Sequence, residues 1–137
     1  MDKRLFFLMN MAQHRVFRFA DNKSVELLDI PVSQVAAMLY VAKNEGCLQK
    51  DLSQALGLNN SAVTGLAKRM EARALIQRQP CNIDGRATRL YLAERGRETL
   101  PQVFPLIAQL NELLAADFSD DEIAVVMRFL NKVIETF

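Results

Sequence analysis

Apolar residues recur along most of this 137-residue chain at steps of three and four, the period of a helix with one buried face. Leu5, Leu8, Met9, Ala12, Val16 and Phe19 predict a first amphipathic helix over residues 3–22, and Phe6, Phe7 and Phe17 widen its apolar surface. A second is predicted over 31–44: Pro31 pre-sets the φ of a first helical turn, Val35, Met38, Leu39 and Ala42 follow at helical spacing, and Gly46 stops the run. Leu48, Leu52, Ala55 and Leu56 predict a short third helix closed by Gly57. Asn59, Asn60 and Ser61 offer cap oxygens to a fourth, whose buried side is expected to hold Val63, Leu66, Ala67, Met70 and Ala74.

After Leu75 the period changes. Residues 76–79 read as extended, Pro80 interrupts them, and Asp84-Gly85 favours a tight hairpin turn because both residues tolerate positive φ. Thr88, Leu90 and Leu92 then alternate with Arg89 and Tyr91, the rhythm of a strand with one wet face. From Glu94 the helical period returns through Leu100, Val103, Phe104, Ile107, Leu110 and Leu114. Pro101 and Pro105 fall inside it and predict a late start or a kink. Ser119 with Glu122 forms a capping box for a last helix lined by Ile123, Val126, Met127, Leu130, Val133, Ile134 and Phe137.

The segment 49–74 fits a helix-turn-helix. Gly57 takes the turn, Leu52, Leu56, Leu58, Val63 and Leu66 occupy the apolar positions around it, and the small Ser53 lets the two helices cross closely. On a wheel, Ser61, Thr64, Gly65, Lys68 and Ala72 face outward with Arg69 on the flank, a narrow polar strip suited to a major groove about 12 Å wide. The hairpin that follows makes this a winged helix, with Asn82, Ile83, Asp84, Gly85 and Arg86 at its tip and Arg89 beside it. An arginine on such a tip can enter a narrow minor groove, and Asp84 can brace it by a charge-assisted pair. The expected fold is therefore mainly α with a small β-hairpin wing. It forms one domain over 1–137, with the winged helix-turn-helix at 31–96 flanked by helices at 1–30 and 97–137.

Charge sharpens this picture once it is resolved along the chain. The total is only +1, but residues 61–97 carry +5 and residues 98–137 carry −5. A near-neutral chain that confines its cations to one block offers a surface to a polyanion there. The terminal helices carry more apolar surface than a winged helix of about 65 residues can cover, and large apolar patches mark interfaces, so 1–30 and 97–137 are expected to dimerise the chain. Two-fold symmetry then calls for a pseudo-palindromic site on double-stranded DNA, with half-sites about 34–36 Å apart.

Composition excludes other classes. With 50% apolar residues the chain is not disordered. Cys47 and Cys81 fit no zinc spacing, and one histidine, His14, leaves too few ligands, so neither a metal nor a cofactor is expected. No Gly-rich phosphate loop, nucleophile elbow or carboxylate pair suggests an enzyme. The apolar run at 5–9 is too short to cross a membrane, and no cleavable leader is legible, so a cytoplasmic protein is expected.

Asp84, Arg86, Leu90, Leu92 and Gly96 match the hairpin signature of the MarR family of bacterial transcription regulators, and the chain resembles that family over essentially its whole length. The resemblance implies a homodimeric regulator, most often a repressor. Ser61, Thr64 and Lys68 would be its groove readers, Gln49 and Lys50 its phosphate contacts, and Arg86, positioned by Asp84, its wing-tip contact. It also implies release by a small aromatic or phenolic ligand, for which Phe6, Met9, His14, Phe17, Met38 and Phe104 are the candidate lining. The chain departs from the family pattern at Gly65, where many relatives have Arg, at Ala93 in place of a Thr cap, and at Ala74 in place of a Gly. Two alternatives stay open. One is a redox-responsive regulator acting through Cys81 at the wing base or through Cys47, which precedes a helix N-terminus near Lys50, a setting that lowers a thiol pKa. The other is a winged-helix module that binds protein.

Overall fold

The computed structural model describes residues 1–83 and 85–137. Its elements run α1 (Leu5–Leu28), α2 (Val32–Lys43), β1 (Cys47–Leu48), α3 (Gln49–Leu56), α4 (Asn60–Ala72), β2 (Ile76–Pro80), β3 (Thr88–Leu92), α5 (Glu94–Ala115) and α6 (Asp120–Thr136). They fall into two compact units, Met1–Val103 and Phe104–Phe137. Among the described residues no single helix is long and apolar enough to cross a membrane.

In the first unit α1 continues past its predicted end, since neither Gly nor Pro interrupts the chain before Pro31. It closes at Asp29, whose φ of 56° lies in the left-handed region. Two polar side chains of α1 then hold the turn into α2: the Ser24 hydroxyl donates to the Ile30 carbonyl, and Asp21 accepts the Val32 N–H at 2.9 Å. Pro31 caps α2 from outside the helix, with extended backbone.

Between α3 and α4, Gly57 adopts a φ of 65° and the Ser53 hydroxyl donates to the Leu58 carbonyl, which fixes the helix-turn-helix turn. Val63, Leu66, Ala67 and Met70 bury the inner face of α4 against a core that includes Met38 and Val41 of α2, Leu52 of α3 and Leu90 of β3. Ala74 does not join them. The helix ends before it, and Ala74 is exposed with a φ of 59°.

The sheet has three antiparallel strands in the order β1-β3-β2. The sequence pattern missed β1, because two residues are too few to show alternation; Cys47 pairs with Leu90 and Leu48 with Arg89. Pro80 extends β2 and does not interrupt it, pairing with Thr88 on an edge strand where a missing N–H is tolerated. The Cys81 N–H still donates to the Ala87 carbonyl, so backbone pairing continues one residue past β2, up to the tip expected at 82–86. Asp84 itself lies outside the described residues.

At the entry to α5 the Ala93 N–H donates to the Leu75 carbonyl. A β-carbon at Gly96 would stand 2.2 Å from that same oxygen, so the crossing of α5 over the end of α4 requires glycine. Helix α5 starts at Glu94 and runs through Pro101 and Pro105, and the late start expected from the prolines does not occur. Each proline forfeits one backbone hydrogen bond while the helix on either side continues.

In the second unit α6 opens with the predicted capping box: Ser119 accepts the Glu122 N–H and the Glu122 carboxylate accepts the Ser119 N–H at 3.0 Å. Those bonds hold the Glu122 carboxyl below the usual carboxylate range. None of the residues of α6 is buried.

Candidate nucleic-acid interface

Helix α4 presents Ser61, Lys68, Arg69 and Ala72 as exposed residues, with Thr64 and Gly65 half-buried between them. Its N-terminus is capped by Asn59, whose side-chain oxygen accepts the Ala62 N–H at 2.8 Å and the Ser61 hydroxyl at 3.0 Å. Ser61 is thus turned toward the cap. The Thr64 hydroxyl donates to the Asn60 carbonyl at 2.7 Å and accepts a hydrogen bond from Gln49 Nε2 at 3.0 Å. Gln49, expected as a phosphate contact, therefore spends an amide hydrogen on joining the first turn of α3 to α4. Its Oε1 is buried without a hydrogen-bond partner among the described residues.

The absence of a side chain at Gly65 has a local consequence. Arg69 Nη1 lies 3.2 Å from where a β-carbon at 65 would be, so the guanidinium folds back over the glycine along the helix surface. Where an arginine at 65 would project, this chain supplies a cation from one turn further on. A cleft of about 580 Å³ separates the start of α3 and α4 from the wing; it is lined in part by Gln49, Lys50, Thr64, Ile83, Arg86 and Arg89.

The cations of residues 61–97 divide into two sets. Arg73 bonds the carbonyl and carboxylate of Asp29, Arg78 pairs with Glu71 at 2.9 Å, Arg97 pairs with Glu45 at 3.3 Å, and Arg95 donates to the Arg73 carbonyl. Arg89 donates to the Gly46 carbonyl at 2.7 Å and is half-buried, tying β3 to the turn between α2 and β1. The Arg78 guanidinium in turn holds the Glu71 carboxyl below its ordinary range. Lys68 and Arg69 form no ion pair among the described residues, and Arg86 is exposed on the wing tip. The proposed bracing of Arg86 by Asp84 falls outside the described residues.

The Cys47 thiol departs from expectation. Burial pushes its pKa up and the Asp51 carboxylate raises it further. Asp51 accepts the Leu48 N–H at 3.0 Å, so a carboxylate already occupies the positive end of α3 that was expected to favour a thiolate. Cys81 is buried. Of the candidate ligand lining, Phe6, His14 and Phe17 are exposed on α1 and Met9 is half-buried there, while Met38 is wholly inside the α2 core. Phe104 is exposed in the second unit.

The ion pairs of Arg73 and Arg97 are not legible in the sequence because their partners are remote: Asp29 lies 44 positions from Arg73 and Glu45 lies 52 from Arg97. No local spacing announces such pairs. The Gln49–Thr64 link, 15 positions apart, is hidden in the same way.

Known proteins carry the same pattern. A model described as the MarR family matches residues 28–87. The chain is 26% identical over 135 residues to the HTH-type transcriptional regulator MgrA of Staphylococcus aureus, an alignment that covers 98% of this chain and 90% of that protein. Its fold is similar to that of MepR in the S. aureus MepR–DNA complex, with a TM-score of 0.89 and 22% identity over 99% of this chain and 100% of that one. It is also similar to the PcaV transcriptional regulator from Streptomyces coelicolor in complex with its natural ligand, with a TM-score of 0.85 and 22% identity over 98% and 96% of the two chains.

Proposed function

We propose that this chain is a transcriptional regulator of the MarR family, whose model matches residues 28–87, and that it acts as a homodimeric, sequence-specific repressor that releases DNA on binding a small aromatic or phenolic ligand. One observation carries the DNA side of this reading. The first turns of α4, through Asn60 and Thr64, and the wing tip, through Ile83 and Arg86, line a common cleft together with Lys50, and Lys68 and Arg69 are exposed further along the same helix. In this reading α4 enters a major groove with Ser61, Thr64, Lys68 and Arg69. Lys50 and the α3 end at Gln49 lie near phosphates, and the wing, with Asp84, Arg86 and Arg89, follows a minor groove.

Dimerisation is assigned to 1–30 and 97–137. Exposed Phe6 and Phe7 on α1, and Val126, Met127, Leu130 and Ile134 on α6, support that assignment, because apolar surface of this extent calls for a partner. Ligand release draws support from PcaV, solved with its natural ligand, and from the exposed Phe6 and Phe17 on α1, rings that an aromatic ligand can stack against.

Selection of bound fragments from random duplex DNA, followed by titration of the selected site over a salt series, tests the proposal. Arg86→Ala is expected to flatten the slope of log affinity against log salt by about one unit per subunit, and Lys68→Ala to shift the preferred sequence. Arg78→Ala, whose guanidinium sits on Glu71, should leave slope and preference as they are. Failure to enrich any duplex, or equal slopes for all three variants and the parent, would overturn the reading.

A further inference from the structure

We infer that Thr64 reads its base through its γ-methyl group and not through its hydroxyl, so that thymine is the base selected at this point of α4. The inference rests on α4 being the groove helix, as proposed above. A threonine hydroxyl has one proton to donate and two lone pairs. In this chain the proton goes to the Asn60 carbonyl at 2.7 Å, and one lone pair accepts Gln49 Nε2 at 3.0 Å. The groove edges of guanine offer only acceptors, as does O4 of thymine, and all of these require a donor that Thr64 no longer has; the one lone pair left can only accept from N6 of adenine or N4 of cytosine, a reading that would leave the site indifferent to the loss of a thymine methyl. The group with no polar engagement is the methyl, and the base that offers an apolar partner in the major groove is thymine, through its own C5-methyl.

Gln49 makes this arrangement durable. It sits at the first position of α3, its side chain is partly buried, and its bond to Thr64 is a tie between the two helices of the motif. Its Oε1 is already buried without a partner among the described residues, so surrendering the Nε2 bond as well would strand a second polar atom in the same place. The hydroxyl is thus retained by the scaffold, and the methyl is what the helix has to offer DNA.

The test uses the full chain and a duplex recovered by selection. Each thymine of the site is replaced in turn by deoxyuridine, which removes the methyl and nothing else. At one position per half-site the parent is expected to lose about 4-fold in affinity, the value of one methyl group removed from contact. Thr64→Val, which keeps the methyl and drops the hydroxyl, should show the same loss at the same position. Thr64→Ser, which keeps the hydroxyl and drops the methyl, should bind the thymine and uracil duplexes equally. The inference is overturned if no position responds to deoxyuridine, or if Thr64→Ser keeps the discrimination and Thr64→Val loses it. A chain that recovers no duplex in the selection overturns the DNA-binding reading together with this one, whereas a recovered site indifferent to deoxyuridine overturns this one alone.

Discussion

Met70 of α4 and Met127 of α6 are the same side chain set in the same kind of apolar stripe, yet the first is wholly buried and the second is 56% exposed. Around Met70 the stripe of Val63, Leu66 and Ala67 meets α2, α3 and the sheet, and every one of these residues is buried. Around Met127 the stripe of Val126, Leu130 and Ile134 is exposed, and only Ile123 and Val133 are half-buried. Polar groups divide in a parallel way. Near α4 arginines reach across tens of residues to Asp29 and Glu45, whereas the described hydrogen bonds of side chains on α6 stay within a turn. The contrast teaches that periodicity reports which face of a helix wants burial but not what will bury it. In α4 the answer lies in the same unit of the same chain; in α6 it is assigned here to a second copy.

Charging the α6 stripe should break that contrast most severely. Leu130→Glu combined with Ile134→Glu replaces two exposed apolar side chains, and in a two-fold dimer each change occurs twice. Loss of their burial and the placing of carboxylates in the interface should weaken self-association by more than about 1,000-fold, read by sedimentation equilibrium. Unchanged association would remove α6 from the interface. The same chemistry at Met70→Glu should unfold the chain outright, because there a charge enters a finished core.

A smaller effect is expected where the first unit is closed by backbone approach. Gly96→Ala sets a methyl 2.2 Å from the Leu75 carbonyl oxygen, a rigid neighbour that cannot step aside, and should cost about 3 kcal/mol in a urea titration at fixed protein concentration. Gly85→Ala on the wing tip, where an added β-carbon meets nothing within 4 Å, should cost less than about 0.5 kcal/mol. Equal costs at the two glycines would mean that the crossing of Leu75 and α5 gives way more easily than its geometry implies.

The same division marks what could be read from the sequence. The stripe of α4, the turn at Gly57 and the Ser119–Glu122 box are local, set by spacing and by residue type, and each was legible. The outward face of α4 was legible too, since it is the complement of the buried one. What escaped was settled by contacts between remote segments: the two residues of β1 paired with β3, the arginines tied to distant carboxylates, and the Gln49–Thr64 bond that decides which part of Thr64 is left for a ligand. Cys47 shows the mechanism within a few residues. Its helix N-terminus and Lys50 suggested a lowered pKa, but burial against β3 and the Asp51 carboxylate at the α3 cap reverse the sign. A local motif states which charges are near; the fold decides which of them is nearest.

The mildest test lies at the exit of α4. The Leu75 N–H reaches back to the Met70 carbonyl and the Ala74 N–H to the Glu71 carbonyl, the paired bonds of a helix end that wants a left-handed residue at position 74. Alanine takes that position with a φ of 59°, where its β-carbon crowds the following carbonyl at a cost of about 1–2 kcal/mol. Ala74→Gly removes the crowding but frees the unfolded chain by about 0.4–1 kcal/mol. Because Ala74 is exposed and its methyl fills no part of the core, the balance should be a gain of about 0.5–1 kcal/mol, seen as a higher urea midpoint with an unchanged slope. Self-association should not move, since the strain is confined to a turn of the first unit. A lower midpoint would show that the alanine methyl holds the end of α4 in place, and that the closed region depends on contacts at its rim as well as in its core.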